Sequence, residues 1–267
     1  MARSVHNCAT EESGLSISVW HVFWVAVLTD LATGLGALPF FFLRTLSARW
    51  QSLAYAAAGG MMISAAVFSL AEQGLGRGRV LDTVAGMLAG ATFYWLTARW
   101  VKQREWTIEN LGRQESRQSV LMLGAMFVHS IPEGIAVGVG YATGQIEFGL
   151  LLALAIAVHN IPEGIAISLP LRARGVSTFR CMLYAILTSV PQPLAAVPAF
   201  LLVDFFQPLL PAGLGFAGGA MIFLVVAEMI PESLKGSSAE ESAWGFVAGL
   251  VLMLTITASL GLLTAPA

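Results

Sequence analysis

The chain has 267 residues, of which 57% are hydrophobic and only 11% charged, and its mean hydropathy is +0.76. A water-soluble domain of this size cannot hide so much apolar surface, which excludes ordinary soluble enzymes and nucleic-acid-binding modules and indicates an all-α polytopic membrane protein. The net charge of −2 says little until the charges are placed along the chain.

A polar tail occupies residues 1–16, and a single transmembrane domain is expected over 17–267. The first apolar run, 17–43, is too long for a signal-peptide core and lacks a basic flank just ahead of it, so it reads as a retained span. Seven more segments reach the ~20 helical residues that cross a hydrocarbon core. They are 51–72, 81–100, 118–141, 148–171, 178–203, 211–230 and 243–264. Their apolar runs are continuous rather than alternating, which predicts helices and not barrel strands. The stretch 101–117 mixes both charge signs without a histidine cluster and reads as a solvated, partly helical connection. With the N-terminus outside, eleven of the fourteen Lys and Arg residues fall on the inner side, among them Arg49, Arg99, Arg172 and Lys235. Only Arg3, Arg77 and Arg79 fall outside. This positive-inside bias predicts eight transmembrane helices with both termini extracytoplasmic. Cys8 and Cys181 make neither a disulfide framework nor a paired-cysteine metal motif. No phosphate-binding loop of the Walker type is present, so the chain does not itself use ATP.

The chemistry lies in a repeated segment. Val128-His129-Ser130-Ile131-Pro132-Glu133-Gly134-Ile135-Ala136 and Val158-His159-Asn160-Ile161-Pro162-Glu163-Gly164-Ile165-Ala166 sit thirty positions apart, on the fourth and fifth spans. Each places an imidazole and a carboxylate four residues apart, on one face of a helix. The two spans run in opposite directions and are joined by a short loop, so the motifs are expected to meet near the bilayer midplane, where transporters built from repeats bind substrate. Two imidazoles and two carboxylates suit Zn²⁺, and also Fe²⁺, Mn²⁺, Co²⁺ or Cd²⁺. Pro132 and Pro162 each remove an N–H and free the carbonyl four residues back, at Val128 and Val158. Gly134 and Gly164 allow close approach of another helix or an ion.

The paired motif resembles the fourth and fifth spans of the ZIP (Zrt-, Irt-like protein) family of divalent-metal transporters, in its bacterial branch. Ala32-Thr33-Gly34-Leu35-Gly36-Ala37-Leu38-Pro39 resembles that family's first helix, the stretch from Ala58 to Leu70 its second, and Gly219 to Ser233 its seventh. The resemblance implies a ZIP-like bundle with inverted repeats. It implies His129, Glu133, His159 and Glu163 as transport-site ligands, Asn160 as an adjacent ligand, Met62 as a methionine near the pore entrance and Ser69 as a pathway residue. Ser130 stands where many members have Asn, and Gln192 where many have Glu. A second metal site would therefore consist of Ser130, Asn160 and Gln192 beside the shared glutamates, which implies one metal site with a weak neutral neighbour.

Asp30, halfway along the first span, is either a pathway or proton-coupling group or the partner of a buried hydroxyl such as Thr33. His21 is either a loose ligand at the entrance or an interfacial side chain. Glu228 and Glu232 share a helix face near the inner end of the seventh span, as an exit station or as partners of Lys235. The reading that follows is a transporter importing divalent transition metals, zinc foremost, with no resident cofactor. Its partners are the ion and the lipid bilayer of a bacterial inner membrane, with no nucleic acid and a homodimer left open. The competing class, an intramembrane metal-dependent hydrolase, fits less well because all four groups would serve as ligands and leave no general base.

Overall fold

The computed structural model describes residues 17–43, 47–76, 80–103, 113–142, 146–173 and 175–264. The tail with Arg3 and Cys8, the basic positions Arg77 and Arg79, and the middle of the 101–117 connection lie outside them. Among the described residues every regular element is helical. Eight long segments follow one another: α1 Val19–Phe42, α2 Ala48–Gly76, α3 Val80–Lys102, α4 Arg113–Ala142, α5 Ile146–Ala173, α6 Thr178–Leu201, α7 Val203–Ser233 and α8 Ala239–Thr264. Among the described residues, six of them are long and apolar enough to cross a membrane.

Serines open several of these helices, because a hydroxyl satisfies an amide left without a carbonyl in the first turn. Ser18, Ser47 and Ser177 accept from the backbone of His21, Trp50 and Arg180. Ser238 and Glu241 bond reciprocally, Glu241 N–H to Ser238 Oγ and Ser238 N–H to Glu241 Oε2, a capping box that starts α8. The turn between α5 and α6 passes through Gly175 at φ +84°, a conformation only glycine adopts without strain.

Glycines decide which helices lie together. Two glycines four residues apart recur in α3 (Gly86, Gly90), α4 (Gly134, Gly138), α7 (Gly215, Gly219) and α8 (Gly245, Gly249), a spacing that lets backbones touch in an apolar medium. A methyl group on Gly90 would stand 2.0 Å from the Phe216 carbonyl oxygen, and one on Gly219 would stand 2.0 Å from that of Met87. The α3–α7 pair is thus locked from both sides. Gly60 and Gly249 lock α2 to α8 in the same way, against Phe246 and Ala57. On the other side of the molecule, Gly134 meets the Gln192 carbonyl, tying α4 to α6, and Gly164 meets that of Thr33, tying α5 to α1.

These locks join the helices in four pairs, α3–α7, α2–α8, α4–α6 and α1–α5, and the pairs pack as two groups, α1/α4/α5/α6 and α2/α3/α7/α8. Among the described residues, every glycine whose added methyl would come within 3.0 Å of a neighbouring helix's backbone is locked inside its own group. Across the seam the closest such approach is Gly213 to Pro132 Cβ, at 4.0 Å. Among the described residues, glycine-mediated backbone contact holds the pairs and does not cross the seam.

Four helices depart from regular α geometry, among them α1, which a turn over 36–38 interrupts ahead of Pro39. α6 breaks at Val190 because Pro191 and Pro193 cannot donate to the preceding turn. α2 and α7 each contain a π-helical stretch, Ala65–Ala71 and Val225–Met229, which places Ser69 and Glu228 on widened turns.

The locks make a direct prediction. Gly60→Ala or Gly219→Ala must push two backbones apart and is expected to lower stability by roughly 1–3 kcal/mol. Gly124→Ala, with open space around the added methyl, is expected to be neutral or slightly stabilising. Thermal unfolding of the three variants in detergent compares them directly.

Candidate metal centre

Helical periodicity puts His129 and Glu133 on one face of α4, and His159 and Glu163 on one face of α5. The antiparallel pairing of those helices turns both faces inward. Four ligand atoms, one from each residue, lie within 4.8 Å of one another. His129 Nε2 is 3.0 Å from Glu133 Oε1 and 3.2 Å from Glu163 Oε1, while His159 Nε2 is 2.6 Å from Glu133 Oε1. All four residues are at most 3% exposed. The contacts cross between the repeats, so neither motif is satisfied alone.

The geometry fits a small tetrahedral cation after a modest expansion. Ligand bonds of ~2.0–2.2 Å give tetrahedral edges of about 3.4 Å. The two His129 contacts are within a few tenths of that edge. The His159–Glu133 contact is a hydrogen bond, so it needs a proton on the nitrogen whose lone pair a metal would use. Loading the cluster displaces that proton. Glu133 Oε2, both Glu163 oxygens and both Nδ1 atoms have no hydrogen-bond partner, which leaves the carboxylates free to rearrange around an ion.

Asn160, Gln192 and Thr29 form a second layer beside the cluster. Asn160 Nδ2 donates to the Thr29 carbonyl at 2.8 Å and to Gln192 Oε1 at 3.1 Å, and Gln192 Nε2 donates to Thr29 Oγ1 at 2.8 Å. Both donors of Asn160 are used, so its amide cannot flip, and Oδ1 is its one unpartnered atom. Gln192 is fully buried and engaged at both ends of its amide. Ser130 Oγ bonds the carbonyls of Met126 at 2.9 Å and Thr188 at 3.2 Å, joining α4 to the broken α6. Thr29, Thr188 and Ser189 were not foreseen from sequence; hydroxyls in apolar helices carry no sign of which neighbour they will meet.

The remaining candidates are dispersed. Met62 is fully buried in the core, and Ser69 Oγ is buried without a partner in the α2 π stretch. Asp30 is 5% exposed, and its Oδ1 has no hydrogen-bond partner. The pairing of Asp30 with Thr33 does not form, because Thr33 Oγ1 bonds Ser189 Oγ at 2.8 Å instead. His21 is exposed and packs edge-on against Tyr141, with ring centroids 5.2 Å apart. Glu232 forms an ion pair with Lys235, and Glu228 is half-buried in the π stretch of α7.

The family model for the ZIP zinc transporter matches residues 102–257. Zinc transporter GufA of Myxococcus xanthus is 37% identical over 247 residues, covering 88% of this chain and 97% of that protein. The chain belongs to the ZIP family. Zinc transporter ZIPB of Bordetella bronchiseptica is 34% identical over 250 residues, 86% of this chain and 78% of ZIPB. A longer Arabidopsis thaliana protein is 43% identical over 243 residues, 90% of this chain, which spans 38% of its length. The family is one of integral membrane transporters and not of enzymes, which removes the hydrolase alternative.

The amide layer is testable. Gln192→Leu keeps the volume but strands the Asn160 and Thr29 groups, and is expected to cost about 1–3 kcal/mol. Zinc titration of the same variant in detergent should show weaker binding, as Asn160 loses its fixed orientation.

Proposed function

We propose that this protein carries divalent transition-metal cations, zinc foremost, into the cytoplasm through the cluster of His129, Glu133, His159 and Glu163. The observation that carries the reading is the convergence of these four buried groups from two repeated motifs. An ionised carboxylate near a bilayer midplane costs on the order of 3 kcal/mol by insertion scales. A cation passing between them offsets that cost in a way that no packing role would. The names of GufA and ZIPB support zinc as the principal cargo. Fe²⁺, Mn²⁺, Co²⁺ and Cd²⁺ share the ligand preferences and are expected to compete.

The site suits passage better than residence. A histidine that holds a resident metal ordinarily anchors its second ring nitrogen on a carboxylate or carbonyl. Neither His129 nor His159 does so through Nδ1. The cluster belongs to the α1/α4/α5/α6 group, and His129 also borders Ala220, Met221 and Leu224 of α7 across the seam. Rocking of one group against the other would expose the ion to opposite faces of the bilayer in turn.

In this reading all eight helices span the inner membrane of a bacterium, with both termini extracytoplasmic as the distribution of Lys and Arg requires. Met62 and Ser69 line the approach to the cluster, with Asn160 Oδ1 as an additional ligand. Asp30 and Glu228 are pathway groups. Ser130 and Gln192 stand at the positions of a second metal, but their polar atoms are occupied by α1, α5 and α6, so one ion binds per chain. A homodimer is compatible with this arrangement.

Purified protein in metal-free liposomes containing a zinc-sensitive dye should show saturable zinc uptake. His159→Ala and Glu163→Ala should each reduce it by more than about tenfold. Zinc that binds stoichiometrically without entering would overturn the transport reading. Calorimetric titration should give one zinc per chain, with a heat that varies with the buffer's ionisation enthalpy because protons leave the cluster. A stoichiometry of two would refute the single-ion arrangement.

A further inference from the structure

His129 has a second environment besides the carboxylates. A small cavity of about 10 Å³ lies between α4 and α7, bounded by Met126, His129, Ala220, Met221 and Leu224. That is room for one particle the size of a water molecule. Met126 and Met221 are each 2% exposed and His129 is 3% exposed, and the imidazole Nδ1 has no hydrogen-bond partner. No carboxylate borders the cavity. Of the residues that line it, those with metal-donor atoms are Met126, Met221 and His129.

This donor set differs in kind from the neighbouring cluster. Carboxylate oxygen and imidazole nitrogen suit borderline and harder divalent ions, whereas thioether sulfur is polarizable and selects soft ones. Met126 lies three residues before His129 on α4, on the same face and one turn nearer the helix N-terminus. Met221 comes from α7, in the other group of helices.

We propose that this cavity is a thioether station, in which Met126, Met221 and the His129 imidazole take soft d¹⁰ cations, Cd²⁺ and Cu⁺, beside the main cluster. The inference deepens the transport reading and rests on it. One sulfur belongs to each side of the seam, so a soft ion held by both bridges the two groups and hinders their relative motion. Zinc, a weaker partner for thioethers, passes without being held there. The station therefore makes cadmium an inhibitor of zinc uptake as well as a competitor for the cluster.

The test uses full-length protein loaded with Cd²⁺ alone, examined by X-ray absorption at the cadmium edge. The wild-type spectrum should contain a sulfur shell. The near-isosteric double variant Met126→Leu/Met221→Leu should lose it, and each single variant should reduce it. Met62→Leu, which removes the other buried thioether of the pathway, should retain it. In liposomes the double variant should need about tenfold more Cd²⁺ to halve zinc uptake, measured relative to its own zinc KM. A wild-type spectrum with only nitrogen and oxygen neighbours would overturn the proposal, as would a sulfur shell that survives the double substitution. Failure of wild-type zinc uptake would instead remove the transport reading, while the cadmium spectrum in detergent still decides the station.

Discussion

Two carboxylates and two imidazoles are held where almost no water reaches them, and each carboxylate lies against at least one imidazole. Glu133 Oε1 is shared by both histidines, and His129 spans both glutamates. Low dielectric strengthens every one of these contacts and makes the loss of any one expensive. Much of the surrounding fold can be understood as keeping that arrangement in place. α4 and α5 must run antiparallel with their motif faces opposed. Gly134 and Gly164 draw α6 and α1 against the back of the motifs, which brings Gln192 and Thr29 within reach of Asn160. The residue after Glu133 and after Glu163 is thus a glycine because another helix's carbonyl passes there.

The same small residues produce the opposite property elsewhere. Backbone contacts through glycine leave little freedom for two helices to shift, since nothing flexible lies between them. Side chains can change rotamer and slide. Among the described residues, the glycine locks fall on helix pairs inside each group of four, and none spans the boundary between the groups. The cluster of His129, Glu133, His159 and Glu163 lies in one group, next to the boundary with the other. A site in the middle of a single locked bundle would bind an ion without a means of releasing it.

Much of this was legible in the sequence. The two histidine–glutamate pairs, their helical spacing and their antiparallel neighbourhood follow from periodicity and the short loop between the spans, and the four residues meet as that logic requires. The departures at Ser130 and Gln192 were visible as residue types. Their partners were not, because Thr29, Thr188 and Ser189 lie on other helices and nothing local marks them. Asp30 and Thr33 share a helix face, yet Thr33 bonds across to Ser189 of α6. Glu232 took the bland alternative and paired with Lys235. The π stretches of α2 and α7 left no local signature, since they arise from how long helices accommodate their neighbours. The grouping of helices did leave one, in the four-residue glycine spacing of α3, α4, α7 and α8.

The contact between Pro132 and Gly213 has a further consequence. Where two helices meet through interdigitating side chains, the pattern recurs once per turn, about every 5.4 Å. A surface with such a grain does not glide smoothly; it rests at registers where ridges fill grooves and crosses a barrier between them. Any sliding along such a seam would favour registers one helical repeat apart. The spacing of the resting positions is a property of the backbone, whatever ion is on board.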